Sequence, residues 1–202
     1  MSGRPYPART RLSEEFYARP VQDVAEDLLG RILVHRAADG LIALRLVEVE
    51  AYLGEGRDEA SHAHRGRTPR NRQMFETPGR LYVYLSYGVH HLLNVVCEPA
   101  GQGAAVLLRG AEVLEGETIL ASRRGRSGVG IANGPGKLGQ ALAADLSWDG
   151  RTLLSGELGL WPGSPPPEIR RSSRIGISRG TEAQLRFFDP SSGCVSRARP
   201  AL

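Results

Sequence analysis

Lysine is almost missing from this 202-residue chain: Lys and Arg together number 26, and all but Lys137 are arginine. Chemistry that needs an amine nucleophile, such as Schiff-base formation, therefore has one candidate side chain. Cysteine is nearly as scarce. Cys97 and Cys194 lie far apart in no CxxC pair, so neither a zinc site nor an iron–sulfur cluster is signalled and no metal or cofactor is expected. Two isolated thiols fit a reducing compartment. No apolar run approaches the roughly 18 residues of a membrane-spanning helix. Met1 to Leu12 is polar and rich in Pro and Arg, with no apolar region of the signal-peptide kind. The expectation is a cytoplasmic chain that makes no membrane contact. Internal repeats and low-complexity tracts are absent as well.

What is present suits one globular unit. Hydrophobic residues at 41% and charged residues at 24% are ordinary for a folded domain, and 25 Gly and 13 Pro predict many turns. The length allows a buried core without disulfides or metals. Residues 1–12 are expected to form a flexible arm and residues 13–202 a single domain. The formal charge of +4 and the pI of about 9.4 make the surface mildly basic, which suits a polyanionic partner without requiring one.

The pattern along the chain predicts an α+β fold with a mainly antiparallel, curved sheet, short surrounding helices and a protruding hairpin. Val21, Val24, Ala25 and Leu28 recur at helical spacing within Pro20 to Leu29, bounded by Gly30. Arg31 to Arg36 and Leu41 to Leu53 are strand-like, and Ala38-Asp39-Gly40 between them signals a hairpin. A second hairpin is predicted from Leu81 to Tyr87 and Val89 to Cys97, with its tip around Ser86 to Val89. Further on, Ala104 to Arg109 reads as a strand, Leu114 to Arg124 and Lys137 to Ala144 as helices, and the chain from Trp148 as short strands joined by turns.

Three constellations could carry chemistry. Period-two alternation puts Glu48, Glu50 and Tyr52 on one face of their strand and Val47, Val49 and Ala51 on the other. Two acids on one face suit general acid–base work, but from spacing alone a solvent-facing strand edge is the better explanation. In the second hairpin Tyr82 and Tyr84 share a face, while Tyr87 lies on the other, close to the tip. An aromatic there either packs on a neighbouring loop or acts as a wedge between DNA bases. The segment Ser61 to Arg72, with Arg65, Arg67, Arg70 and Arg72, is either a solvated loop or a contact for phosphates. Its His62-Ala63-His64 lacks the further ligands a metal pair would need. Asn133-Gly134-Pro135-Gly136-Lys137 could present backbone N–H groups and a cation to phosphate, but it is not a P-loop, since Ile131 and Leu138 occupy positions that motif reserves for Gly and Ser or Thr.

Taken in order, Val47-Glu48-Val49-Glu50-Ala51-Tyr52-Leu53-Gly54, Asp58-Glu59-Ala60-Ser61-His62, Arg67-Thr68-Pro69-Arg70-Asn71-Arg72 and Leu81-Tyr82-Val83-Tyr84 resemble the alkyladenine (3-methyladenine) DNA glycosylase family. The resemblance continues through Leu92-Leu93-Asn94-Val95, Val106-Leu107-Leu108-Arg109, Gly134-Pro135-Gly136-Lys137-Leu138 and Arg174-Ile175-Gly176-Ile177, covering roughly residues 20 to 190.

The resemblance implies a monofunctional base-excision repair enzyme that flips alkylated or deaminated purines from duplex DNA and hydrolyses the N-glycosidic bond. Its partner would be double-stranded DNA containing damaged purines, and the protein a monomer, nucleoid-associated in a bacterium. Glu50 would activate water, held also by Arg109 and the main chain of the neighbouring strand. Tyr52, His62 and Tyr84 would wall the base pocket, with Asn94 at its floor against the 2-amino group of guanine. Tyr87 would fill the gap left by the flipped nucleotide, and Arg67, Arg70, Arg72 and Lys137 would contact phosphates. Two other enzyme classes fit worse. O-glycosidases place paired carboxylates on separate elements, and the H-x-E and P-C-x-x-C elements of zinc deaminases are lacking.

Overall fold

The computed structural model describes residues 10–196. Most of the expected N-terminal arm therefore lies outside the described residues; at its end Leu12 is buried and donates its N–H to Leu160 O at 2.9 Å.

The chain opens with two helices, α1 (Glu14–Tyr17) and α2 (Val21–Leu28). The apolar positions predicted for α2 are its buried stripe, and Pro20 stands at its N-cap. A hairpin follows, β1 (Ile32–Ala37) and β2 (Gly40–Tyr52), with Ala37 paired to Gly40 across Ala38 and Asp39. The second hairpin is β3 (Leu81–Ser86) and β4 (His90–Cys97), its tip formed by Tyr87, Gly88 and Val89. Then come β5 (Ala104–Glu115), α3 (Glu117–Arg124), α4 (Pro135–Ala141), β6 (Leu158–Trp161), β7 (Arg170–Ser172) and β8 (Arg186–Phe188).

Every strand pairing is antiparallel, and the eight strands form one sheet in the order β3-β4-β5-β2-β1-β6, with β8 joining β2 and β7 joining β8. β2 is the axis. One edge pairs with β5 along most of its length; the other pairs with β1 up to Arg45 and with β8 at Glu48, Val49 and Glu50. The core packs α2, α3 and α4 against this sheet, with α1 on α2. Among the described residues no helix is long and apolar enough to cross a membrane.

Two expectations need correction. Leu114 and Glu115 are the end of β5 rather than the start of a helix, because Val113 and Glu115 still pair with Leu44 and Ala43 of β2. Gly116, at a φ of 86°, then turns the chain into α3. The left-handed backbone favours glycine there, and tertiary pairing outweighs the helical pattern. The second correction concerns Val47. Ile42, Leu44 and Leu46 enter the main core, and then Val49 and Ala51 do. The phase changes at a bulge, where Leu46 pairs with Ala111, Glu48 with Gly110 and Val49 with Leu108. The extra residues, Val47 on β2 and Arg109 on β5, break strict alternation and re-aim side chains. Glu48 and Glu50 are fully buried rather than solvent-facing.

Candidate active site

The open face of the sheet holds a cleft of about 890 Å³, lined by Tyr52, His62, Tyr82, Tyr84, Asn94 and Arg109 among others. Strand alternation brings Tyr82 and Tyr84 into a stack with centroids 5.5 Å apart. The His62 ring stands edge-on to Tyr84 at 4.6 Å, and its Nδ1 lies 2.9 Å from the Tyr82 hydroxyl. Burial and the nearby Arg70 charge push the His62 pKa below its usual value, which favours the neutral imidazole. Asn94 sits across from Tyr82 in register and donates to the Tyr82 carbonyl at 3.1 Å. The result is an aromatic slot with an amide at one wall, a shape suited to a flat heterocycle.

Beneath the slot lie the two carboxylates. Glu48 Oε1 accepts from Arg109 Nε (2.9 Å), Arg186 Nε (2.7 Å) and the Ser196 hydroxyl (2.7 Å), and its Oε2 accepts from the Ser196 N–H (2.6 Å). Four donors thus converge on this carboxylate, three on Oε1 and one on Oε2, and two of them are arginines. Burial alone would raise the Glu48 pKa, but Arg109, the Ser196 N–H and Arg186 outweigh it and hold the group below the usual range. Glu50 is held more lightly. Its Oε1 accepts from the Ile175 N–H (2.7 Å), its Oε2 from the Tyr52 hydroxyl (2.9 Å), and Arg109 Nη1 lies 3.1 Å from Oε2. Here burial prevails over Arg109, Ile175 and Tyr52, with Glu48 adding repulsion, and the pKa is raised. Tyr52, Arg109 and Ile175, the groups that hold Glu50, all line the cleft, and the fully buried Glu50 lies behind them.

Several groups in this arrangement carry no role in the sequence reading. Arg174, fully buried, makes a two-pronged pair with Asp58 at 2.5 and 2.7 Å, donates to Ala51 O at 2.9 Å and lies 4.6 Å over the Tyr52 ring. It thereby fixes Tyr52 from behind and sets the course of the backbone that presents Ile175. Arg186, Ser196 and Tyr82 act on Glu48 and His62 as described. The motifs containing Asp58 and Arg174 are visible in the sequence, but their 116-residue separation conceals the pairing.

Of the other expected site residues, Arg70 lines the cleft with its guanidinium 5.8 Å over Tyr84. Lys137 also lines it, and its ammonium donates to Asn133 Oδ1 at 2.7 Å. Tyr87 projects from the hairpin tip, 92% exposed and at a φ of 50°, so it packs on no neighbouring loop. Arg67 and Arg72 stand outside the cleft lining. Arg67 pairs with Glu76 at 2.6 Å, and Arg72 opens the 3-10 turn Arg72–Phe75. Among the described residues, no three His, Cys, Asp or Glu side chains gather as a metal site.

Comparison with known proteins agrees with this geometry. The pattern of the methylpurine-DNA glycosylase family matches residues 15–192. A protein of Streptomyces avermitilis is 48% identical over 179 residues, 85% of this chain and 84% of its own. One from Chlorobium phaeovibrioides is 47% identical over 195 residues, covering 95% and 99%, and one from Methanocella arvoryzae 46% identical over 195 residues, covering 94% and 97%. All three are named, provisionally, as 3-methyladenine DNA glycosylases. A match spanning nearly all of the cleft-forming elements places this chain in the methylpurine-DNA glycosylase family.

Proposed function

We propose that this protein excises alkylated purines from duplex DNA by hydrolysis, with Glu50 as the base that activates water. The observation that carries the reading is the contrast between the carboxylates: Glu48 takes four donors, two of them arginines, whereas Glu50 takes hydrogen bonds from one hydroxyl and one peptide N–H and lies directly behind residues that line an aromatic cleft.

A base stacked in a duplex is out of reach, so the nucleotide rotates out at a cost of a few kcal/mol, least for damaged or mispaired bases. Tyr87 enters the vacated position. A purine methylated at N3 or N7 is cationic, and it lies between the electron-rich rings of Tyr52 and Tyr84; deaminated purines use the same slot by stacking alone. Asn94 opposes the 2-amino group of guanine. As the bond from C1′ to the base nitrogen breaks, positive charge grows on the sugar and the ionised Glu50 stabilises it. Water adds to C1′, its proton passes to Glu50, and the cationic purine leaves as a neutral base. Arg109 Nη1, 3.1 Å from Glu50 Oε2, is within reach of a water bound to the Glu50 carboxylate.

The product is an abasic site in an intact strand. The one lysine, Lys137, lines the cleft with its ammonium engaged by Asn133 Oδ1, which favours water over a lysine as the nucleophile. Arg70 and Lys137 at the cleft, with Arg67 and Arg72 flanking it, supply phosphate contacts. The protein works as a monomer in the cytoplasm, on the nucleoid where there is one.

The test is single-turnover incubation with duplexes containing 3-methyladenine, 7-methylguanine, hypoxanthine or ethenoadenine. Free base should be released, and strand breaks should appear only after alkali. Tight binding with no base release would overturn the reading in favour of a non-catalytic DNA-binding module.

A further inference from the structure

The segment that follows β8 is built into the catalytic centre. Asp189, 1% exposed, donates its N–H to the carbonyl of the bulge residue Val47 at 2.9 Å. The Ser192 hydroxyl donates to Glu112 Oε1 at 2.5 Å, and the chain then passes so close to β5 that a Cβ on Gly110 would meet Cys194 O at 2.6 Å. Glycine at position 110 is therefore a requirement of this docking.

The path ends on Glu48. Ser196 donates both its N–H and its hydroxyl to that carboxylate, its hydroxyl oxygen accepts from Arg109 Nη2 at 3.1 Å, and its carbonyl accepts from Arg186 Nη2 at 3.1 Å. Arg109 is thus gripped on Nε by Glu48 and on Nη2 by Ser196, which leaves Nη1 aimed at Glu50. A planar guanidinium held at two of its three nitrogens has no freedom to turn away. Ser196 also borders the cleft.

We propose that Ser196 is a positioning residue: it locks Glu48 and Arg109 into one rigid unit that presents Arg109 Nη1 to Glu50 and to the attacking water. The role of the water rests on the hydrolytic reading above; the geometric part does not. The groups that face Glu50 are Glu48 and Tyr52 of β2, Arg109 of β5, Tyr84 of β3, and Arg174 and the Ile175 N–H from the segment after β7; Arg186 of β8 pairs with it in register but points to Glu48. Of these, Arg109 and Glu48 are the side chains facing Glu50 that Ser196 touches directly. Loosening Arg109 withdraws the positive charge that favours ionised Glu50, so Glu50 should hold its proton to higher pH.

Two measurements test this on the full chain: the pH profile of single-turnover base release, and a carbon-13 NMR titration of the Glu50 carboxyl in DNA-free protein. Ser196→Ala should slow release at neutral pH by about tenfold with DNA affinity changed less than about twofold. It should also move both the acid limb and the Glu50 titration upward by about half a unit or more. Ser196→Thr, which keeps the hydroxyl, should restore both. A Glu50 titration that does not move in folded Ser196→Ala, judged by circular dichroism, overturns the proposal. A wild-type protein that releases no base would overturn the hydrolytic reading, while the DNA-free titration still decides for or against the positioning role.

Discussion

Glu48 and Glu50 sit two residues apart on the same strand, both with no exposed surface, yet their proton affinities are pushed in opposite directions. Arg109 touches both, at 2.9 Å and 3.1 Å. The difference comes from the remaining donors. Arg186 and both polar hydrogens of Ser196 converge on Glu48, whereas Glu50 has a hydroxyl and one peptide N–H. The proposed mechanism uses the first as an anchor and the second as the base.

Glu50→Gln keeps the side chain's shape and removes its basicity. Base release should fall by about 10²- to 10⁴-fold, the usual worth of a general base, with affinity for damaged duplex within a few-fold of wild type. Single-turnover excision alongside fluorescence anisotropy measures both. Undiminished excision would exclude Glu50 as the base.

The pH profile follows from the raised Glu50 pKa. The ionised form is the active one, so release should rise with pH, and because burial raises the pKa above its usual 4.5, the rise should be centred above that value. An acid limb at or below the ordinary carboxylate range would contradict the burial argument.

Stability should have its own acid dependence through Asp58. Its pKa is lowered: burial opposes ionisation, but Arg174 and the N–H groups of Leu53 and Ala60 prevail. A depressed folded-state value means the stabilisation is present above the unfolded value near 3.8 and is lost as pH falls through the folded value. Removing one partner of a buried pair typically costs about 3–5 kcal/mol, so Asp58→Asn should lower the melting temperature clearly at pH 7. The difference from wild type should shrink in strong acid. Equal melting at pH 7 would show that the pair contributes nothing net.

Tyr87 should separate stability from function. Its side chain is almost wholly exposed and its backbone is in the left-handed region, a conformation that costs a non-glycine residue of order 1 kcal/mol. Tyr87→Gly should leave the melting temperature unchanged or raise it, and weaken damaged-DNA binding or flipping. Unchanged affinity and rate would remove the wedge from the mechanism.

Phosphate contacts are testable through salt. Replacing Arg70 or Lys137 with Ala should each reduce the slope of log affinity against log salt by about one, measured by anisotropy between 50 and 200 mM. Neither the Arg67→Ala nor the Arg72→Ala effect should exceed this, since both side chains stand outside the cleft. A flat salt dependence of the wild type would remove all four from the footprint.

Local chemistry along the chain was enough to predict α2, both hairpins and the shared face of Glu48, Glu50 and Tyr52, because residue spacing is registered directly in backbone periodicity. The run of motifs was likewise enough to identify the family. Tertiary structure alone decided the rest. The bulge at Val47 and Arg109 depends on register between strands more than 60 residues apart, and nothing local encodes it. The grip on Glu48 unites four segments, and the buttress behind Tyr52 joins Asp58 to Arg174. How two similar carboxylates come to have opposite proton affinities is a matter of the donors that distant chain segments deliver to each, and those become countable only after the sheet has closed around them.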